Sequence, residues 1–215
     1  AGRTELAMSL FGRSYGTGIS GTLLMNGKEV HLKNVRQAID HKLAYVTEDR
    51  KGNGLILSNP IYTNTSLAKM DEVSRFGVID KLKEVQVAED YRQKLHTKAP
   101  SVYQNVGNLS GGNQQKVIIA RWLANNPDIL IMDEPTRGID VGAKYEIYQI
   151  MIDLVKQGKS IIMISSEMPE LIGMSNRIIV MCNGHITGEV EGEDATQEKI
   201  MSFATKFTLS GKENK

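Results

Sequence analysis

Two apolar strand-length runs joined by one long amphipathic helix set the strongest limit on how this chain folds. Ile129-Leu130-Ile131-Met132 has no polar position, and Ser160 to Ile164 is nearly as apolar. Between them, Val141 to about Gln157 repeats apolar residues at helical spacing. A strand with one wet face alternates polar and apolar residues, whereas a strand buried on both faces does not. Apolar strands linked by long helices therefore predict an α/β architecture with a mostly parallel sheet covered by helices. The 215 residues suffice for one large domain, and 40% apolar with 24% charged residues is an ordinary globular balance.

Around this centre the punctuation is regular. Thr4 to Phe11 has helical spacing with Gly12 as its stop, and Gly21 to Val30 reads as a hairpin about Asn26-Gly27. A helix near Val35 to Lys42 leads into a short strand, Leu43 to Val46. Residues 52–108 are more polar, with loop signals at Asn53-Gly54, Asn59-Pro60 and Ala99-Pro100 and a helical run from Lys83 to Leu95. They are expected to form a helical insertion rather than sheet core. A helix from Gly111 to Ala124 ends before Asn125-Asn126-Pro127. After Pro169 the expectation is a short helix, a strand at Arg177 to Cys182, a hairpin turn at Asn183-Gly184, a helix near Gln197 to Lys206 and a loose tail over 207–215.

The net charge of +1 gives no reason to expect a nucleic-acid partner. The single cysteine, Cys182, lies in an apolar stretch; it reads as a buried structural thiol and suits a reducing compartment. No apolar run approaches the roughly 20 residues of a membrane span, so any tie to a membrane would go through a protein partner. His31, His41, His96 and His185 lack metal-ligand spacing. Trp122 is expected as a core anchor, and Lys116 and Arg121 as solvated or interface charges. The start, Ala1-Gly2-Arg3-Thr4, has neither Met nor a signal pattern and reads as a cut from something longer.

Two motifs carry chemistry. Met132-Asp133-Glu134-Pro135 ends an apolar strand, the place where ligands bind in open parallel sheets. Two adjacent acids there suit two tasks: Asp133 would hold Mg²⁺, and Glu134 would orient or deprotonate an attacking water. Alone, the pair also reads as a solvated acidic turn. Leu109-Ser110-Gly111-Gly112-Asn113-Gln114-Gln115 opens a helix with Ser110 as N-cap, and its two glycines leave backbone amides uncovered, a geometry that binds phosphate. Ser-Gly-Gly alone would also read as a capped helix; the two motifs in succession are far more specific.

Together they resemble the ATP-binding-cassette ATPases, over essentially the whole chain. The resemblance implies a P-loop nucleotide-binding fold with an antiparallel β portion and a helical subdomain, and ATP with Mg²⁺ as ligands. It implies that Ser110, Gly111, Gly112 and Gln114 contact a nucleotide held by a second cassette. Asp140, in Gly138-Ile139-Asp140, would stand at the contact between cassettes, and it also reads as the N-cap of the following helix. Gly2-Arg3-Thr4 resembles the end of a P-loop, with Thr4 and Asp133 as the Mg²⁺ ligands; the preceding strand and the adenine-stacking aromatic would lie upstream of residue 1.

Three positions depart from the family pattern. Arg3 stands at the P-loop lysine, and a broad guanidinium is a poor substitute for a compact ammonium between phosphates. Glu48 stands at the glutamine that senses Mg²⁺ and the transmembrane partner. Ser166 stands at the switch histidine and has no imidazole to offer a γ-phosphate. All three fall on the site this domain would build for its own nucleotide, so the expectation is a cassette competent as donor and impaired as host. The wording of Val46 to Lys51, Thr136 to Tyr148 and Ile164 to Leu171 is similar to the C-terminal cassette of tandem ATPases that energise bacterial monosaccharide importers, nearest to the xylose and multiple-sugar members. That resemblance implies a second cassette, transmembrane permease subunits and, indirectly, a sugar-binding protein as partners, and a peripheral place on the cytoplasmic face of the inner membrane. The competing readings are a non-catalytic regulatory cassette and a soluble cassette ATPase of translation or DNA-repair type. Against the last, the about one hundred residues between Thr4 and Leu109 hold no sustained heptads.

Overall fold

A computed structural model describes residues 2–13 and 16–206, so the tail over 207–215 lies outside the described residues. Contacts divide the chain into two compact units, Ala1–Gln37 with Met163–Lys215, and Ala38–Ile162.

The second unit holds the sheet that the apolar runs predict. Strand β3 (Leu43–Val46) pairs in parallel with β6 (Ile129–Asp133), Leu43 opposite Ile129 and Val46 opposite Met132. The three-stranded order is β3-β6-β7, with β7 at Ser160–Ile164, and the division between units falls within β7. Every residue of β3 is buried, and so are the last four of β6. The edge strand β7 is less covered, and Ile162 keeps 46% of its surface exposed. Helix α7 (Val141–Lys156) joins β6 to β7. Helix α6 (Gly111–Leu123) packs beside it and buries Val117, Ile118, Ile119 and Ala120.

The segment expected as a helical insertion contains α3 (Ile61–Ser66), α4 (Met70–Val73) and α5 (Lys81–Lys94). It also holds a small antiparallel pair, β4 (Ser74–Arg75) and β5 (Val78–Ile79), for which the sequence carries no strand signal. Two residues per strand are too few to show a period, and the turn rests on Phe76 and Gly77, both with positive φ.

The first unit carries α1 (Arg3–Leu10), a hairpin of β1 (Leu23–Met25) and β2 (Lys28–Val30), and a longer hairpin of β8 (Arg177–Cys182) and β9 (His185–Glu191). Both turns are Asn-Gly with positive φ at each residue, as tight two-residue hairpins demand. Helix α8 (Met168–Met174) and α9 (Gln197–Ala204) complete this unit. Ile178, Val180 and Ile200 form its core, with Leu171, Ile172 and Phe203 against them. Gly188 on β9 admits Phe203: a Cβ there would lie 2.3 Å from the ring. Cys182 is buried with its thiol free. Among the described residues no helix is long and apolar enough to cross a membrane. Helix α2 (Val35–Asp40) lies at the other division between the units.

Candidate nucleotide site

In the second unit, parallel pairing brings the ends of β3 and β6 to the same edge; Glu48 follows two residues after β3, Asp133 ends β6, and Glu134 comes directly after it. Asp133 is fully buried; its Oδ2 accepts a hydrogen bond from the Tyr45 hydroxyl at 2.9 Å, and among the described residues its Oδ1 has no partner. An unpartnered, buried polar atom costs about 1–3 kcal/mol unless something compensates it, and more in a charged group. A hard cation is a fitting compensation, since Mg²⁺ takes oxygen ligands from one or two carboxylates and keeps several waters. Glu134 follows with φ +46, an uncommon backbone for any residue but glycine, and keeps 8% of its surface exposed. Such strain persists where surrounding structure fixes it, often at functional sites.

Beyond β3 the chain folds into a single π-helical turn, Arg50–Gly54, capped by Asp49, whose Oδ1 accepts from Gly52 N at 2.9 Å. Arg50 reaches from this turn to the loop after β6: its Nη1 donates to the Arg137 carbonyl at 2.7 Å and its Nη2 to the Gly138 carbonyl at 3.3 Å. Glu48 pairs with Arg137 in the same loop. Burial lowers the pKa of Arg50 from its ordinary value, as it must for a guanidinium whose partners are neutral carbonyls.

The motif 109–115 meets that loop at Gly111, where a Cβ would lie 3.3 Å from the Gly138 carbonyl oxygen. Ser110 has the extended backbone of an N-cap, but its hydroxyl caps no amide, contrary to the sequence expectation. Asn113 explains this: its Nδ2 donates to Ser110 Oγ at 2.8 Å, while its Oδ1 accepts from Lys98 N at 2.8 Å. Gly112 is the point of closest approach between α6 and α7, since a Cβ there would sit 2.4 Å from Ala143 Cβ. Asp140 caps α7, accepting from Ala143 N at 2.9 Å. Ser110, Gly112, Asn113, Asp140 and Glu146 help line a cavity of about 160 Å³. Gln114, expected among the nucleotide contacts, is turned inward: it is buried and its Nε2 donates to the Val106 and Leu109 carbonyls, shaping the approach to Ser110.

Lys116 and Arg121 also depart from expectation. Lys116 keeps only 1% of its surface exposed; its Nζ pairs with Glu146 Oε2 at 2.8 Å and donates to the His96 carbonyl at 2.9 Å. Lys98 holds the other oxygen of Glu146 at 3.0 Å, and hydrogen bonds from Lys116 and Lys98 lower that carboxyl's pKa. Arg121 donates from Nε to the Asn64 carbonyl at 2.7 Å and from Nη2 to Asn64 Oδ1 at 2.9 Å, and burial pushes it down to about 10. Helix periodicity places both residues on α6 but cannot say that their partners reach them from residues 64, 96 and 146. Trp122, expected in the core, is only half-buried.

In the first unit Gly2 is the left-handed N-cap of α1, and Arg3 and Thr4 begin that helix. Arg3 Nη1 donates to the Ser165 carbonyl at 2.6 Å. Ser165 is buried, its Oγ bonded to Glu170 Oε2 at 2.9 Å and accepting from Glu167 N at 3.0 Å, while Ser166 faces solvent. The structure thus brings Arg3 to the residue just before Ser166.

The family profile described as ABC transporter matches residues 1–137. The chain belongs to this family. Among curated ABC relatives, the L-arabinose transport ATP-binding protein AraG of Geobacillus stearothermophilus is 56% identical over 209 residues, 97% of this chain and 41% of the relative. The xylose import ATP-binding protein XylG of Geobacillus kaustophilus is 52% identical over 95% of this chain and 40% of its own length. The ribose import ATP-binding protein RbsA of Clostridium tetani is 48% identical over 97% of this chain and 41% of its own. The chain therefore spans about two fifths of the length of these relatives. Its fold is that of a solved ATP-binding cassette of an ABC transporter, with a TM-score of 0.78 at 18% identity over 94% of this chain and 83% of that one. A dimeric cassette in a post-hydrolysis state bound to ADP and Pi superposes with a TM-score of 0.71 at 21% identity, covering 87% of this chain and 80% of that one.

Proposed function

We propose that this chain is the C-terminal cassette of the ATP-binding subunit of a bacterial monosaccharide importer, where it couples ATP binding and hydrolysis to sugar uptake. The observation that carries the reading is the open start of α6: Ser110, Gly111 and Gly112 present an uncapped first turn beside Asp140. Backbone amides and a hydroxyl in that arrangement suit the terminal phosphate of a nucleotide held by a second cassette. Relatives 48–56% identical over nearly the whole chain are named as arabinose, xylose and ribose import ATP-binding proteins, which supports the sugar assignment.

In the reading, Gly2, Arg3 and Thr4 take the part of the family's P-loop end, and Asp133 and Glu134 that of its acidic pair. Mg²⁺ would be held by Asp133 and would supply charge for the β- and γ-phosphates. Asp133 Oδ1 offers the free lone pairs such an ion needs. Glu134 would hold the attacking water, with Glu48 and Ser166 at the positions that sense the γ-phosphate. The partners in this reading are a second cassette, permease subunits and a sugar-binding protein, and the place is the cytoplasmic face of the inner membrane.

A second reading is favoured by one observation: the guanidinium of Arg3 already donates to the Ser165 carbonyl. A cassette whose P-loop cation is engaged with its own chain suits a regulatory, non-hydrolytic role at this site. The test is uptake of labelled arabinose, xylose, ribose or galactose into proteoliposomes that contain the full-length ATP-binding polypeptide and its permease. ATP-dependent uptake of one of these sugars, abolished by Ser110→Arg, is the expected result. Absence of ATP-dependent uptake for all four would overturn the sugar-import reading. The isolated chain should release no appreciable phosphate; steady release that Glu134→Gln abolishes would refute the impairment of its own site.

A further inference from the structure

Asn113 sits at the third position of α6, where the side chain of a helix N-cap usually meets a backbone amide. Here the amide is bypassed. A backbone N–H can only donate, so Lys98 N fixes the Asn113 oxygen on its own side at 2.8 Å and leaves the NH₂ end directed at Ser110 Oγ, also at 2.8 Å. Ser110 Oγ is therefore the acceptor in that pair, and its own proton must go elsewhere. Among the described residues its hydroxyl makes no other hydrogen bond, and no side chain caps the first turn of α6.

We propose that Asn113 is a positioning residue that keeps the Ser110 hydroxyl off its own helix and aims its proton, with the first-turn amides, at the terminal phosphate of a nucleoside triphosphate held by a second domain. This rests on the reading of 109–115 as a phosphate-facing motif. Asn113 need not touch the nucleotide. It acts through Ser110, and Lys98 acts through Asn113 by a backbone group that no side-chain substitution at Lys98 removes. Serine left to itself would turn its oxygen to the amide three residues on, the usual cap. That turn would spend an amide and misdirect the hydroxyl.

The experiment is a double-mutant cycle on ATP hydrolysis by the full-length ATP-binding polypeptide with its permease, at varied MgATP. Asn113→Leu keeps the side-chain size and removes the donor without adding charge. It is expected to lower kcat roughly tenfold, less than the roughly hundredfold or more from losing a phosphate-facing donor outright. KM for ATP is expected to stay within about twofold, because the interaction serves the transition state rather than ground-state binding. In the Ser110→Ala background the same change should have almost no effect, since the group it positions is gone. An equal loss in both backgrounds, or a rise in KM with kcat unchanged, overturns the proposal. If Asn113→Leu does not fold, Asn113→Asp takes its place: it still accepts from Lys98 N but forces Ser110 to donate inward, so turnover near that of the parent would overturn the proposal. Full turnover by Ser110→Ala would instead sink the phosphate-facing reading itself, and the proposal with it.

Discussion

Replacing Glu146 by Gln removes one negative charge and almost no volume, and it isolates the ion pair of the buried Lys116 on helix α6. Lys116 is 1% exposed and has two partners, Glu146 Oε2 at 2.8 Å and the His96 carbonyl at 2.9 Å. Stranding a buried charge by removing its counter-ion costs about 3–5 kcal/mol. The Glu146 side chain, however, is 38% exposed, which screens the pair, and the glutamine oxygen can still accept from Lys116. About 2 kcal/mol is the resulting expectation, or roughly a 4–8 °C drop in Tm for a chain of this size. Thermal and urea unfolding at neutral pH read it directly. The folded carboxyl titrates below its ordinary value of 4.5, held down first by its hydrogen bond from Lys116. As the pH falls the unfolded chain therefore takes up the proton first: the contribution of Glu146 is in place above pH 4.5 and is lost as the pH drops through the lowered value. The gap in Tm between parent and variant should accordingly close in acid. A loss under about 0.5 kcal/mol at neutral pH, within the usual surface range, would refute the reasoning, and so would a gap that persists unchanged into acid.

Gly112→Ala should cost about 1–3 kcal/mol by overpacking, because the new methyl would stand 2.4 Å from Ala143 Cβ; Ala143→Gly in the same chain should recover most of it, and no recovery would place the damage elsewhere. Arg50→Ala removes the two donors that hold the Arg137 and Gly138 carbonyls, so amide exchange over 137–140 should rise while exchange in β6 stays slow. Arg50→Lys should restore only part of the protection, since an ammonium lacks the forked geometry.

Much of the frame was legible in the sequence because it follows from periodicity and turn chemistry. The apolar run 129–132 and the helix after Asp140 could form little else, and both Asn-Gly hairpins formed where their dipeptides stand. What stayed hidden depends on which side chain meets which across the fold. Lys116 looks like a surface charge until Glu146 and His96 are seen beside it, and Arg121 until Asn64 is. Ser110 looked like an ordinary cap because local sequence does not reveal that Asn113 claims its hydroxyl. Gln114 stands next to the motif's glycines, and local sequence does not reveal that its Nε2 donates to the Val106 and Leu109 carbonyls. No local pattern announces the β4–β5 pair, two residues long on each side.

The central claim is directional: the motif at Ser110 acts on ATP held by another domain, while the site with Arg3, Asp133 and Glu134 contributes little turnover. The most direct measurement compares Ser110→Arg with Glu134→Gln in the full-length ATP-binding polypeptide reconstituted with its permease, reading steady-state phosphate release. Ser110→Arg should abolish it and Glu134→Gln should leave most of it intact. The reverse pattern, with hydrolysis lost in Glu134→Gln and retained in Ser110→Arg, would contradict the account.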